Sequence, residues 1–437
     1  MTATETTRPS AGAQTPTFGE FFKVWLKIGC INFGGPAAQI AMMHRIAVDE
    51  KKWIEEGRFL HALNFCMLLP GPEAQKLATY IGWLLHGVRG GLASGILFVL
   101  PGAIVMLGLS LLYALGRGFS VVDGALFGIK AAVLVIVVEA LLRIGRRALK
   151  TRLLYGLAAL AFIGIFFLDL PFPLIVAIAA LIGFLTTKQK EQSRQVPAPG
   201  RWRQAAVAGT TGLLLWWAPV ALAFLLLGPD HVMTQIGLFF SKLATVSFGG
   251  AYALLAYMAQ EAVETHRWMS APEMVDGLGL AETLPGPLIK VTQFVGFLAA
   301  YRDPLPFSAV TAGIVGSALT TWVTFVPPML LIFVFAPFVE QLRANQRLSG
   351  ALAAVTAAVV GVILNLTIWF ALHVLFGRVE EVHAGPLRAY LPDLATLDWK
   401  AAALALVAAA LMLRMHRGLV ETVAAMALLG ILVRFIF

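Results

Sequence analysis

Long apolar stretches, not strict alternation or a narrow amphipathic stripe, dominate the chain. They fall at about 18–44, 58–86, 90–115, 121–142, 152–169 and 172–187, and a polar linker follows at 188–203. One further tract runs 205–228, and the pattern then recurs at about 232–260, 273–301, 306–337, 349–375, 399–415 and 418–436. A helix needs roughly 20 apolar residues to cross hydrocarbon, and these tracts are too many and too long for one buried core. The pattern predicts an all-α polytopic membrane protein. Its segments are a disordered tail at 1–17, a first repeat at 18–187, the linker at 188–203, a linking transmembrane helix at 204–231 and a second repeat at 232–437.

The word repeat rests on residues. Leu69-Pro70-Gly71-Pro72 returns as Leu284-Pro285-Gly286-Pro287, and Phe33-Gly34-Gly35 returns as Phe248-Gly249-Gly250, both at an offset of 215 positions. Trp53 and Trp268, Lys27 and Lys242, and Leu63 and Leu278 keep the same offset. Duplication inside a membrane chain is the mark of a transporter, because two related halves can rock around a site between them.

Basic loops set the orientation. Arg143, Arg146, Arg147, Lys150 and Arg152 form one cluster, and the linker carries Lys188, Lys190, Arg194, Arg201 and Arg203. Both read as cytoplasmic, as do Arg343 with Arg347 and Arg414 with Arg417, while the more acidic 377–398 reads as outside. Six crossings per half plus one linking helix satisfy these loops, giving about 13 crossings, an internal N-terminus and an external C-terminus. The halves are then inverted. Arg45, Lys51, Lys52 and Arg58 fit this scheme badly, since it puts them outside.

Pro70 and Pro72 lack an N–H, and each disfavours helical geometry in the residue before it, so 58–86 reads as two half-helices meeting at a break. Unwound backbone in hydrocarbon is tolerated only where protein buries it or water reaches it. The second half-helix starts near Pro72, and its positive end can hold an anion. Pro285-Gly286-Pro287 repeats the construction. Gly34 and Gly35, with Gly249 and Gly250, permit close approach by a ligand or by another helix. Lys27 and Lys242 precede each Phe-Gly-Gly, and Lys76 and Lys290 follow each Pro-Gly-Pro, a set of four ammonium groups suited to a doubly charged anion. The competing reading for a lysine near a helix end is snorkelling, which suits Lys23 and also Arg89. Asn32 and Ser247 are repeat partners that offer hydrogen bonds to an oxyanion.

Glu73 breaks the symmetry, since its copy is Leu288. A carboxylate in that first turn competes with an anionic substrate for the same amides. Glu73 is therefore the expected proton-coupling residue, against a plain capping acid paired with Lys76. Lys130 and Glu139 are too far apart to pair and are expected to meet other helices. His61, Asn64, Glu282, Asn365 and His373 read as interhelical hydrogen-bonding groups.

Composition narrows the classes. Only 13% of the 437 residues are charged, against about 25% in soluble proteins. The net charge of +9 is explained by cytoplasmic loops without invoking nucleic acid. Cys30 and Cys66 both lie in apolar tracts, so neither a disulfide framework nor a metal spacing is expected, and no cofactor is implied. Residues 1–17 lack the basic and apolar regions of a cleaved signal peptide.

These motifs resemble the chromate ion transporter family in its long, two-domain form. The resemblance runs through Phe33-Gly34-Gly35-Pro36, Trp53, Leu69-Pro70-Gly71-Pro72-Glu73, Tyr80-Ile81-Gly82, Gly87, Gly90 and Phe98-Val99-Leu100-Pro101. In the second half it runs through Phe248-Gly249-Gly250 and Thr283-Leu284-Pro285-Gly286-Pro287 into Val291-Thr292-Gln293-Phe294-Val295-Gly296-Phe297. Ala251 stands where the first half has Pro36, so the second Phe-Gly-Gly is expected to bend less. The resemblance implies an inner-membrane secondary transporter that exports chromate and confers resistance, with sulfate as the look-alike ion. The residues themselves support only an anion site between inverted halves, driven by membrane potential, by protons or by both. Competing readings are a carrier of another oxyanion, a passive channel, and an intramembrane enzyme using Glu73 and His61. The last lacks any His-Glu-x-x-His, paired aspartate or Gly-x-Ser-x-Gly constellation. Oligomeric state is open, and a homodimer is compatible with the repeat.

Overall fold

The computed structural model describes residues 16–116, 119–187, 201–248, 251–338, 345–385 and 387–436. Most of the expected tail and linker lies outside them. Thr17 caps the first helix by accepting from the Glu20 amide. Arg201 already lies in a helix, so the last three positions assigned to the linker are helical.

The first half comprises α1 (Phe18–Ile31), α2 (Gly35–His44), α3 (Glu56–Met67), α4 (Glu73–Gly116), α5 (Ser120–Ala148), α6 (Arg152–Phe166) and α7 (Phe172–Thr186). After α8 (Arg201–Leu227) the order returns as α9 (Val232–Thr245), α10 (Ala251–Gln260), α11 (Ala271–Glu282), α12 (Val291–Arg302) and α13 (Ala309–Phe335). It continues with α14 (Gln346–Leu375), α15 (Trp399–Ala409) and α16 (Leu419–Ile436). Even the π turn after α2 (Arg45–Glu50) recurs after α10 (Glu261–Thr265). One element departs from the all-α expectation. Strands β1 (Val379–Ala384) and β2 (Leu387–Pro392) pair antiparallel between α14 and α15.

Helices α1, α2 and α3 hold 14, 10 and 12 residues. At 1.5 Å per residue they reach only about 21, 15 and 18 Å, short of the roughly 30 Å of hydrocarbon. The chain turns back on itself over them. At the start of α1, Glu20 pairs with Lys51 at 2.8 Å and the Phe21 ring lies 6.2 Å from that of Trp53, so the chain after α2 has returned to the level where α1 began. Phe65 of α3 and Tyr80 of α4 lie side by side, ring centroids 5.2 Å apart, on opposite sides of Pro70-Gly71-Pro72.

Helix α4 also folds on itself. His86 (φ −135°) and Gly87 (φ 61°) break it. Ser94 Oγ donates to the Ala78 carbonyl at 2.8 Å, and Gly82 and Gly90 approach backbone to backbone. Residues 73–85 and 88–116 are therefore antiparallel arms. The second half does the same. Gly277 of α11 packs on the Phe294 ring of α12, Gly296 of α12 meets Gly316 of α13, and Trp268 returns to Phe239 and Phe240 of α9. The tracts at 18–44, 58–86, 232–260 and 273–301 are thus paired arms in which the chain doubles back.

Among the described residues six helices have the length and apolarity to cross a membrane, the longest being the folded α4, and the chain is a multi-pass membrane protein. The remaining helices interlock across the halves. Helix α5 packs against α15 and α16, while α14 packs against α6 and α7. Small residues make the contacts close: a Cβ on Gly128 would strike the Met426 carbonyl, and one on Gly361 the Ala158 carbonyl. At the far rim, β2 delivers Arg388, 2% exposed, to the carbonyl of Ile165 at 2.8 Å and to Asp169 and Glu264 at 2.9 and 3.3 Å.

Because Gly90 leaves no room for a side chain beside the Gly82 carbonyl, Gly90→Val should destabilise the protein by about 1–3 kcal/mol. Thermal unfolding in detergent would register this as a lowered Tm.

Candidate functional site

The returning arms bring their tips together, and each Pro-Gly-Pro elbow is held by the other half. Gly71 N–H donates to the Ser247 carbonyl at 2.8 Å, and Gly286 N–H donates to the Asn32 carbonyl at 3.1 Å. The two bonds are repeat images of each other, both partners shifted by 215 positions. Both glycines have positive φ, 105° and 97°, which a side chain would strain.

Each elbow rests on a proline in the long helix of the opposite half. Gly71 faces Pro328 of α13, and Pro285 and Gly286 face Phe98 and Gly102 of α4, beside Pro101. A proline inside a helix removes one backbone bond and loosens the turn before it. Side-chain amides exploit the loosened carbonyls: Asn32 Nδ2 donates to Phe98 O at 3.3 Å and Gln75 Nε2 to Phe325 O at 3.0 Å, each three residues before its proline. Gln39 Nε2 spans both tips, donating to Asn32 O at 3.0 Å and Gly286 O at 2.7 Å. Gln293 Nε2 ties α12 to Ala103 O and Ser317 Oγ, each at 2.9 Å.

The four lysines separate into two pairs. Lys76 and Lys290 are buried at the elbows, 1% and 0% exposed. Lys27 and Lys242 are exposed on α1 and α9, and Lys242 lies over the Tyr257 ring at 5.6 Å. The Lys76 ammonium donates to the Leu69 carbonyl, closing the end of α3. Lys290 Nζ has no hydrogen-bond partner among the described residues. It lies against Gly286 and Gly102, next to the Phe98 carbonyl that Asn32 holds. Elbow two therefore presents a buried cation and a side-chain amide. Elbow one carries its cation together with half-buried Glu73, the first residue of α4.

Other expectations resolve as follows. Gly34 and Gly35 adopt φ 92° and 77° at the turn between α1 and α2. Gly249 and Gly250 lie outside the described residues. Ser247 acts through its carbonyl. Pro70, Pro72, Pro285 and Pro287 frame the elbows, and Pro287 precedes a 3₁₀ turn at Leu288–Lys290, where Pro72 leads directly into helix. Lys130 meets Asp276 of α11 at 3.1 Å, whereas Glu139 meets Arg143 of its own helix at 3.7 Å. Glu282 accepts from Tyr252 at 3.0 Å. Gln39, Gln75, Gln293 and Asp276 were not singled out in the sequence. The available signal was uncharged or acidic polarity inside apolar tracts. An apolar cavity of about 430 Å³ between α8 and α13, lined by Trp202, Val334 and Phe335, lies apart from these tips.

The chain matches the chromate transporter family twice, over residues 19–184 and 234–433. It is 34% identical over 398 residues to a chromate transport protein of Pseudomonas aeruginosa, covering 87% of this chain and 89% of that one. A chromate transport protein of Cupriavidus metallidurans is 26% identical over 363 residues, 82% of this chain and 84% of its own. An uncharacterized transporter of Bacillus subtilis is 28% identical over 172 residues, which is 38% of this chain but 86% of that protein. No solved structure matches.

A Cβ on Gly71 would sit 2.5 Å from Pro328 Cγ. With the added strain of positive φ, Gly71→Ala should cost about 1–3 kcal/mol, and Gly286→Ala should shift Tm in the same direction.

Proposed function

This chain belongs to the chromate transporter family, and on that premise we propose that it is a secondary transporter exporting chromate across the cytoplasmic membrane. One observation carries the reading: a fully buried ammonium, Lys290, stands without a hydrogen-bond partner where the tips of both halves meet. A buried cation in apolar surroundings is costly unless an anion compensates it. Asn32 Nδ2 beside it gives one N–H to the Phe98 carbonyl and keeps a second to offer a tetrahedral oxyanion.

The halves are proposed to be inverted, with nine crossings in place of thirteen. The crossing elements are residues 88–116 of α4 with α5, α6 and α7, then α8, then α13, α14, α15 and α16. With the paired arms re-entrant, Arg45, Lys51, Lys52 and Arg58 move to the cytoplasmic side with every other basic cluster, and 377–398 stays outside. The misfit in the thirteen-crossing count disappears. The N-terminus is cytoplasmic and the C-terminus periplasmic.

A charge moving through 100 mV gains about 2.3 kcal/mol, so a dianion leaving a negative interior gains about 4–5 kcal/mol. Membrane potential alone can therefore drive export. Protons add to it through Glu73: ionised, its carboxylate occupies the positive end of α4 at elbow one, and protonated it yields that end to the substrate.

Everted vesicles loaded by radiolabelled chromate, with potential and pH gradient imposed separately and sulfate as competitor, test substrate, direction and coupling together. Lys290→Met should lower uptake at least about thirtyfold, while Lys27→Gln and Lys242→Gln should change it by less than about threefold. Uptake unaffected by Lys290→Met would refute the site. Glu73→Gln should flatten the pH profile of uptake, and an unchanged profile would remove Glu73 from the coupling.

A further inference from the structure

A second charged cluster lies inside the helical body, apart from the elbows. Asp276, in the second turn of α11, is 1% exposed. Its Oδ1 pairs with Lys130 Nζ of α5 at 3.1 Å, and its Oδ2 accepts from Tyr113 Oη of α4 at 2.8 Å. One turn further along, Gly279 allows α11 to lie directly on Ile129 of α5. The same arm ends at elbow two, which carries Lys290. Three elements are thus fastened through one carboxylate: α11, the outer end of α4 and α5.

Hydrophobic residues of similar volume would join these helices at least as firmly, since a buried ion pair loses much of its attraction to desolvation. Charges kept inside a membrane body usually mark a moving charge or a switch. The repeat strengthens the point. The position equivalent to Asp276 on α3, 215 residues earlier, is His61, so both elbow-bearing arms hold a titratable residue at the same depth.

We propose that Asp276 is the proton-operated latch of the half-two arm: ionised, it fastens α11 to Lys130 and Tyr113; protonated, it frees the arm that carries elbow two. The proposal rests on the transport reading only for its purpose, not for its geometry. Lys130 and Tyr113 are among the groups that meet Asp276. Lys290, on the turn that packs against α11, lies against Gly286 and Gly102. On α11, Glu273 pairs with Arg302 of α12 and Glu282 with Tyr252. On α14, Arg347 lies over the Phe184 ring and His373 bonds to the Trp369 carbonyl. On α12, Phe294 turns its edge to Tyr113, ring centroids 5.0 Å apart.

Protonation turns an ion pair into a neutral carboxyl beside an ammonium, so the fastening weakens as pH falls. Hydrogen exchange of segment 271–282 in the full-length protein reads this without any chromate. At about pH 8 the wild type should be protected about tenfold over Asp276→Asn measured at the same pH, and the difference should shrink as pH falls. Should Asp276→Asn alone fail to fold, Asp276→Asn combined with Lys130→Gln removes both charges, avoids an orphaned ammonium and carries the same comparison. Equal protection of wild type and variant at the higher pH, or a difference independent of pH, would overturn the latch. Failure of wild-type vesicles to take up chromate would instead count against the transport reading and leave this measurement standing.

Discussion

Unwound backbone at the centre of a membrane body must find its hydrogen-bond partners within the protein, and this constraint organises the molecule. Each Pro-Gly-Pro elbow exposes a glycine amide that its own half does not satisfy. The fold answers with two reciprocal bonds, Gly71 to Ser247 and Gly286 to Asn32, so each half completes the backbone of the other. Everything near the tips follows from that exchange. The arms must be short enough to stop at mid-depth, the glycines must take positive φ, and the opposite long helices must carry prolines where the elbows rest.

Symmetry in the backbone coexists with asymmetry in the chemistry. Both elbows hold a buried lysine, but only elbow one has a carboxylate in the next helix's first turn, and its lysine is engaged by the Leu69 carbonyl. At elbow two the corresponding lysine follows a 3₁₀ turn and lies against two glycines. A duplicated scaffold has therefore diverged into one tip that carries a carboxylate beside its lysine and one that does not.

Proline and glycine made the elbows legible, because their backbone effects are local and independent of context. The return of the arms was not legible. Two helices of 12 and 13 residues around a break give the same hydropathy profile whether they continue through the membrane or fold back, and only the contact of Phe65 with Tyr80 distinguishes the two. The repeat offset likewise predicted that Lys27 matches Lys242 but not which way either faces. Gln39 and Gln75 carry no mark in the sequence because a lone amide makes no motif, although each sits within reach of backbone loosened by a proline or a turn. The β-hairpin reads in sequence only as an acidic loop, because neither Val379–Ala384 nor Leu387–Pro392 alternates apolar with polar positions.

The exchange of helices between halves bears on how such a carrier can move. Helix α5 is clasped by α15 and α16, and α14 by α6 and α7, with glycines allowing backbone-to-backbone approach. Two bodies woven together in this way cannot tilt past one another as separate blocks, since either displacement drags the other's framework with it. The short paired arms inside that woven frame are what a displacement can shift singly.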